Sequence, residues 1–342
     1  MKGQTIIEYY SGQPTFVLFI SPERVLFQKI ENDSLVKYIE SYRFCLSQIK
    51  VNEIKKTEAE FSKSAYALYQ LLLKPFEPFL ENQKEIIIIP DKDLNSIPFE
   101  ALTTYTQWKG YRNAPYLIKK NYTISYAPSW KIYVHSLNQQ PKTFSKVVSF
   151  SYGEGQSDLT CSQKEINAIH ANFNKNQRTS LQYNQCLKDN FMNEWQNGDY
   201  DILHLSLHAK GSLKNIFDNK IWFSSDKKDF LYGFDLSGKT SKIPLIVLSA
   251  CETGLGDATS GEGVYSISRY FFQAGAKTVL ASLWQIDDCQ SATIFESFYR
   301  NIKNGQKAKQ ALCEAKRLFV NDIKGDELTY YPSFWSGIIC LE

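Results

Sequence analysis

The chain has 342 residues, of which 43% are hydrophobic and 22% are charged, and its formal net charge is +3. This composition is typical of a globular protein with a sizeable core, and it excludes a disordered chain. Lys and Arg are scattered among Asp and Glu, so no basic stripe for nucleic acid is predicted. No apolar run approaches the ~20 residues of a membrane span, and no apolar signal region begins the sequence, so we expect a cytoplasmic protein that contacts no membrane.

The first 140 residues predict a mixture of strands and helices. In chain order they are two strands within residues 5–30 around the turn signal SGQP, helices over 33–48 and 62–82, and the strands EIIIIP and NYTISYAPSW. The polar stretch 136–145 contains a proline and predicts a linker. We therefore divide the chain into an N-terminal α+β region, residues 1–140, and a second domain, residues 141–342.

The second domain alternates strands with helices. In chain order the predicted elements are the strand KVVSFSY, helices over 162–173 and 187–195, the strands DILHLSLH and IPLIVLSA, the helix VYSISRYFFQAG, the strand KTVLASLW, helices over 288–303 and 305–321, and the strand FWSGIICLE. This alternation predicts an α/β fold in which helices cover both faces of a mostly parallel sheet. In such sheets the functional groups lie beyond the carboxyl ends of the strands.

Two residues at predicted strand ends are candidates for a catalytic pair. His208 ends DILHLSLH and Cys251 ends IPLIVLSA, so both reach one sheet edge if the two strands are neighbours. In a Cys–His dyad the imidazole accepts the thiol proton and later protonates the leaving amine. The sequence S-A-C-E-T-G resembles the caspase signature Q-A-C-[RQG]-G, and His208 precedes Cys251 by 43 residues, near the spacing of that family. The alternative for Cys251 is a buried core cysteine.

The other cysteines and the glycine-rich loop do not predict a metal or a cofactor. The seven cysteines form no C-x-x-C pair, and we expect free thiols, most of them in the core. His204 and His208 would lie ~13 Å apart on a strand, too far to chelate one ion, so we expect His204 to pack beneath the site. The loop after Cys251 has Thr259 and Glu262 where the phosphate-binding patterns require Gly and Lys.

Five segments of the chain together resemble motifs of a single family. They are IIIIPDKDLNSIPFEAL, DILHLSLHAKG, VLSACETGLG, EGVYSISRYFFQAGAKTVLASLWQIDD and PSFWSGIICLE. The chain is similar in these segments to the CHAT domain, a caspase-like family often joined to tetratricopeptide repeats. The resemblance is strongest over residues 85–342 and looser over 1–84. It implies that residues 141–342 are a caspase-like catalytic domain and that residues 1–140 are pseudo-caspase-like.

The resemblance implies a caspase–separase type fold and hydrolysis of peptide bonds by the Cys251–His208 dyad, without a cofactor. It also implies bacterial relatives that act in signalling, regulated death or defence against phage. In such systems a partner commonly triggers the protease, which cuts one dedicated protein. Because TIIEYYSGQPTFVLFI resembles the segment that follows the repeats, we expect a protein substrate and an activating or tetratricopeptide-repeat partner, with the repeats missing here or on another chain.

The chain departs from the family directly after the histidine, where the family usually has Gly and this sequence has Ala209. We expect the oxyanion hole to consist of the backbone N–H groups of Ala209 and Cys251. A distorted hole would lower activity. The alternative function is therefore a catalytically silent caspase-like scaffold that docks protein partners.

The segment SLWQIDD follows the next predicted strand and is a candidate wall of the substrate cleft. The residues that we assign to the pocket for the P1 side chain are Trp284, Gln285, Asp287 and Asp288. Carboxylates there would favour Lys or Arg at P1. The alternatives are that Asp287 or Asp288 caps the helix that begins near residue 288, and that Trp284 belongs to the core.

Overall fold

The computed structural model describes residues 3–30, 34–47, 51–80, 84–137, 143–153, 155, 159–212, 215–249, 262–284, 286–321 and 329–342. The strands are Gln4–Tyr10 (β1), Thr15–Ile20 (β2), Val25–Ile30 (β3), Glu85–Ile89 (β4), Thr123–Tyr126 (β5), Val147–Ser151 (β6), Arg178–Leu181 (β7), Ile202–Ser206 (β8), Ala209–Lys210 (β9), Lys220–Trp222 (β10), Phe230–Tyr232 (β11), Leu245–Leu248 (β12), Thr278–Ser282 (β13) and Ile338–Leu341 (β14). The α-helices are Leu35–Ser47 (α1), Val51–Leu72 (α2), Trp130–Leu137 (α3), Ser162–Asn172 (α4), Lys188–Asn197 (α5), Glu262–Gln273 (α6), Asp288–Lys303 (α7) and Ala308–Asn321 (α8). Within these ranges, no helix is both long and apolar enough to cross a membrane.

Eleven of the described strands form one sheet in the order β3-β2-β1-β4-β5-β14-β13-β12-β8-β6-β7. Seven neighbouring pairs in it are parallel and three, β1–β2, β2–β3 and β13–β14, are antiparallel. The strands β9, β10 and β11 form a separate small antiparallel sheet. The prediction of an α/β fold with a mostly parallel, helix-flanked sheet is therefore confirmed.

The structure contains strands that the sequence patterns did not predict. Residues 5–30 form three strands instead of two, because β3 continues the meander of β1 and β2 after a second turn. The strands β9, β10 and β11 have only two or three residues each, too few for an alternating pattern to be recognised. The outer strand β7 is half-buried along its whole length, which also weakens the alternation.

The last strand joins the two halves of the sheet. Strand β14 lies between β5 and β13, and its Leu341 is opposite Tyr126 of β5. The strands of the N-terminal region and those of the second domain therefore share one sheet. The division between residues 140 and 141 stays a prediction, and the boundary itself lies outside the described residues.

A buried ion pair also joins the two halves. The Lys316 ammonium of α8 lies 2.9 Å from the Glu100 carboxylate, and both side chains are at most 1% exposed. The hydroxyl of Tyr126 donates a second hydrogen bond to the same carboxylate. The backbone N–H of Phe99 donates to that hydroxyl at 2.8 Å. Because a buried charge is tolerated only when it is paired, each partner depends on the other.

We expect Lys316→Met to lower the free energy of unfolding by ~3–5 kcal/mol, since it leaves the Glu100 carboxylate buried without its cation. Urea unfolding followed by circular dichroism measures this loss. Lys228→Met, which breaks the exposed pair with Asp226, is the matched control and should leave the midpoint unchanged. The double variant Lys316→Met/Glu100→Gln should recover most of the stability. Equal instability of the single and double variants would contradict this account.

Candidate active site

The site is built on two neighbouring parallel strands in the middle of the large sheet. Leu205 of β8 is opposite Leu248 of β12, and the Ser249 N–H continues the pairing with a 3.0 Å hydrogen bond to the Leu205 carbonyl. Because the strands are parallel, the segments that follow them leave the sheet at the same edge. His208 follows β8 by two residues. Cys251 lies outside the described residues, two positions after Ser249.

The backbone of His208 is fixed on both sides. Its N–H lies 3.3 Å from the Tyr152 hydroxyl, and its carbonyl accepts a 2.9 Å hydrogen bond from the Trp222 N–H. The Tyr152 hydroxyl in turn donates to the Trp222 carbonyl at 2.7 Å. The Tyr152 and His208 rings lie 5.6 Å apart between centroids. His208 is only 3% exposed, so its imidazole sits in a protected and well-defined place.

Ala209 begins β9, at the edge of the small sheet. Ala209 is opposite Ile221 of β10. Hydrogen-bonded and non-hydrogen-bonded pairs alternate along an antiparallel ladder, and the next pair, Trp222 with His208, is hydrogen-bonded. The Ala209–Ile221 pair is therefore of the non-hydrogen-bonded kind. The Ala209 N–H is therefore directed away from β10. Ala209 is not among the residues with positive φ, so its Cβ fits this backbone without strain.

Tyr152 and Trp222 are the residues around His208 that the sequence analysis did not identify. Tyr152 directly follows β6, which pairs with β8 so that Ser151 is opposite Ser206. Since the tyrosine ends a predicted strand beside the histidine strand, the strand-end argument used for His208 could have found it. No sequence pattern pointed to Trp222, because it lies on one of the three-residue strands.

The proposed P1 residues have structural partners. Asp287 caps α7, and its carboxylate accepts hydrogen bonds from the N–H groups of Cys289 and Gln290. The Asp288 carboxylate accepts the N–H of Cys161. The half-buried Trp284 donates its indole N–H to the Ser333 carbonyl at 2.9 Å. Gln285 lies outside the described residues. Contact of these residues with a P1 side chain stays a prediction.

The expectation of free thiols is wrong for one pair of cysteines. Cys161, just before α4, and Cys289, in the first turn of α7, form a disulfide with Cα atoms 5.0 Å apart. Their sulfurs and one Asp288 carboxylate oxygen lie within 4.8 Å of one another, the one metal-type cluster found among the described residues. Because both sulfurs are in the disulfide, this set could bind a metal only after reduction.

The four free cysteines in the described ranges are core residues, as expected. They are Cys45, Cys186, Cys313 and Cys340. Burial raises the pKa of the Cys45 and Cys186 thiols to about 12 and that of Cys313 to about 11, and it raises the pKa of Cys340 well above the usual value. All four are therefore weak nucleophiles at neutral pH.

His204 lies beneath the site, as expected. It is fully buried on β8, where its ring nitrogens contact Glu165 of α4 and Tyr299 of α7. Both ring nitrogens of His204 are therefore engaged by buried side chains.

The fold is similar to those of two solved structures, a gingipain and a separase complex. Gingipain R, the Arg-specific cysteine proteinase of Porphyromonas gingivalis, aligns with 90% of this chain and 73% of its own at a TM-score of 0.51 and 9% identity. The Saccharomyces cerevisiae separase–securin complex aligns with 99% of this chain and 30% of that chain at a TM-score of 0.59 and 9% identity. At this identity the likeness concerns the fold alone.

Two curated proteins are similar in sequence over part of the chain. Tetratricopeptide repeat protein 28 of Homo sapiens is 31% identical over 99 residues, and its Mus musculus counterpart is 31% identical over 103 residues. These matches cover 29% and 30% of this chain, which spans only about 4% of the length of either relative. The CHAT domain family matches residues 62–342, most of the chain. The chain therefore belongs to the CHAT domain family.

Proposed function

We propose that the chain is a cysteine endopeptidase in which Cys251 is the nucleophile and His208 the general base. The observation that supports this most strongly is the parallel pairing of β8 with β12, the strands that lead to these two residues. The fixed backbone of His208 supports it further, because a general base must keep its place while the substrate binds. The fold shared with gingipain R, a cysteine proteinase, agrees with the assignment.

The proposed reaction follows from the chemistry of the pair. The His208 imidazole accepts the Cys251 thiol proton, and the thiolate attacks the carbonyl carbon of the scissile peptide bond. As the tetrahedral intermediate collapses, the imidazolium protonates the leaving amine and a thioester remains on Cys251. A water molecule, deprotonated by the same imidazole, then hydrolyses the thioester. No step requires a metal or an organic cofactor.

The proposed oxyanion hole consists of the N–H groups of Ala209 and Cys251. The Ala209 N–H is directed away from β10, on the edge of the small sheet next to His208. A donor in this position is able to stabilise negative charge on the carbonyl oxygen. Ala209 does not have a positive φ, and this supports the proposed hole over the scaffold alternative, in which alanine at this position would distort the hole.

The substrate and the trigger of the enzyme are proposed from the family. We propose a protein substrate, and an activating or tetratricopeptide-repeat partner, because the matched curated relatives are tetratricopeptide repeat proteins. A role in bacterial signalling, defence or regulated death, in the cytoplasm, belongs to the same proposal. A cleavage assay should therefore include a repeat-containing partner when the chain alone is inactive.

We expect Cys251→Ala to lower cleavage of a peptide library by about 10³-fold or more, because it removes the nucleophile. His208→Ala should have an effect of the same order. The matched controls are Cys186→Ala, at a buried thiol, and His170→Ala, at a half-buried imidazole on α4 that contacts Ser180. Both controls should keep activity. Cuts that persist in Cys251→Ala would contradict the assignment.

A thiol-directed probe separates the enzyme from the scaffold. At pH 7 we expect iodoacetamide to label Cys251 about tenfold faster than glutathione, since a neighbouring imidazole raises the thiolate fraction. Peptide mapping should find no label on Cys45, Cys186 or Cys313, whose pKa values are raised by burial. His208→Ala should remove the acceleration. A Cys251 that reacts no faster than glutathione would favour the scaffold.

The two roles of Asp287 can be tested with two substitutions. Asp287→Ala removes the cap of α7 and should lower the free energy of unfolding by about 1 kcal/mol. Asp287→Asn keeps a capping oxygen and should leave stability unchanged, but it removes the charge proposed for the P1 pocket. We therefore expect Asp287→Asn to lose a preference for Lys or Arg at P1 in the library assay. An unchanged P1 profile would leave Asp287 as a cap alone.

A further inference from the structure

A buried polar network lies at the ends of the two strands that lead to the candidate dyad. At its centre is the Glu165 carboxylate of α4, whose residue is 1% exposed. One carboxylate oxygen accepts the Ser249 hydroxyl and lies 3.3 Å from the Ser291 hydroxyl. The other oxygen lies 3.1 Å from Nε2 of His204. We call Glu165, His204, Ser249, Ser291 and Tyr299 the Glu165 network.

The hydrogen bonds of the Glu165 network restrict how the hydrogens on His204 can be arranged. The Glu165 oxygen accepts a hydrogen bond when Nε2 of His204 carries the ring proton. Nδ1 of His204 is then the acceptor for the Tyr299 hydroxyl, 2.7 Å away. Burial, followed by the charge of Glu165, raises the pKa of Tyr299 well above its usual value, so the phenol keeps the proton it donates.

The Glu165 network connects the two strands of the site. His204 belongs to β8 and precedes His208 by four residues. Ser249 directly follows β12 and precedes Cys251 by two residues. Val247 of β12 is opposite His204, so the carboxylate bridges the strands close to their carboxyl ends. The distance between the two strand ends is therefore fixed by side-chain bonds as well as by the sheet.

A carboxylate buried in this place lowers the stability of the fold if its only role is to fill space. Its desolvation lowers stability unless donors surround it, and an apolar side chain would fill the same space at lower cost. The polar groups around Glu165 come from β8, from the residue after β12 and from α7, so three elements meet at one point. Holding the reacting groups in place contributes strongly to the rate of catalysis. A displacement of 1 Å can lower the rate by about 10²-fold.

We infer that Glu165 is a positioning residue: by bonding Ser249 and His204 it sets the separation of the Cys251 thiol and the His208 imidazole. This inference rests on the proposed function, since it presumes that the two side chains act as a dyad. The described bonds of Glu165 go to His204, Ser249 and Ser291, so we infer that it acts through the strand ends.

The test measures the pH dependence of Cys251 alkylation by iodoacetamide together with kcat and KM for a library-derived peptide. In Glu165→Ala we expect kcat to fall about 10²-fold with little change in KM, and the apparent pKa of alkylation to rise toward that of a free thiol, ≈ 8.5. Glu165→Gln should recover most of kcat. Its amide still bonds both neighbours once His204 changes tautomer and the Tyr299 hydroxyl accepts.

A smaller deletion covers the case in which Glu165→Ala does not fold. Ser249→Ala removes one hydroxyl and should lower kcat roughly tenfold with the same shift in alkylation. Its matched control is Ser125→Ala on β5, which deletes an equally buried hydroxyl that donates to the Glu342 carboxylate at 2.6 Å, three strands from β12. The control should lose comparable thermal stability but keep kcat and the alkylation profile.

The outcomes separate the inference from the proposed function. If Cys251 of the unaltered chain alkylates like a free thiol, the dyad itself is wrong. If it alkylates as an activated thiol and Ser249→Ala leaves both kcat and the profile unchanged, the dyad stands and the positioning role is overturned. A loss of kcat in Ser125→Ala equal to that in Ser249→Ala would also overturn it, because the effect would then be general destabilisation.

Discussion

The parallel pairing of β8 with β12 is the constraint on which the candidate site depends. In a parallel pair the two chains leave the sheet in the same direction, so residues far apart in sequence meet at one edge. The other described features of the site contact these two strands or lie beside them. Tyr152 follows the neighbouring strand β6 and bonds the backbone of His208, while Glu165 reaches the strands from α4 below. Tyr152 thus fixes this edge of the sheet from the neighbouring strand, and Glu165 fixes it from the helix layer.

Two of the buried carboxylates of the protein occupy different places, one next to the site and one between the two halves of the fold. Glu165 and Glu100 are both buried glutamates, yet they are satisfied differently. Glu100 has a full cation, Lys316, and serves to join the two halves of the fold. Glu165 is surrounded by hydroxyls and an imidazole, whose hydrogens can rearrange when a neighbouring charge appears. A hydroxyl environment therefore suits a place where the proposed reaction would form and discharge an imidazolium, whereas an ion pair suits a permanent connection.

Much of this arrangement could be predicted from the sequence because long apolar strands and their ends are local patterns. The strands that lead to His208 and Cys251, and a cap at the start of α7, follow from alternation and from residue type. The bonds of Glu165 could not be predicted, since Ser249 lies 84 residues away along the chain. One signal was available: Glu165 is a charged residue on the buried face of α4, beside Ile166 and Ile169. The segment that contains Cys251 lies outside the described residues, so its role stays a prediction.

The position of β14 in the sheet affects how the chain folds during its synthesis. This strand follows all the other described strands in sequence, but it is central in the sheet, and its Leu341 pairs with Tyr126, 215 residues earlier. During synthesis the strands β1 to β5 and the strands β6 to β13 emerge first, and each group exposes an open edge where β14 will insert. Contacts of such long sequence separation form slowly. The candidate site can therefore form on an unfinished sheet during synthesis, and closure of the sheet must wait until β14 emerges.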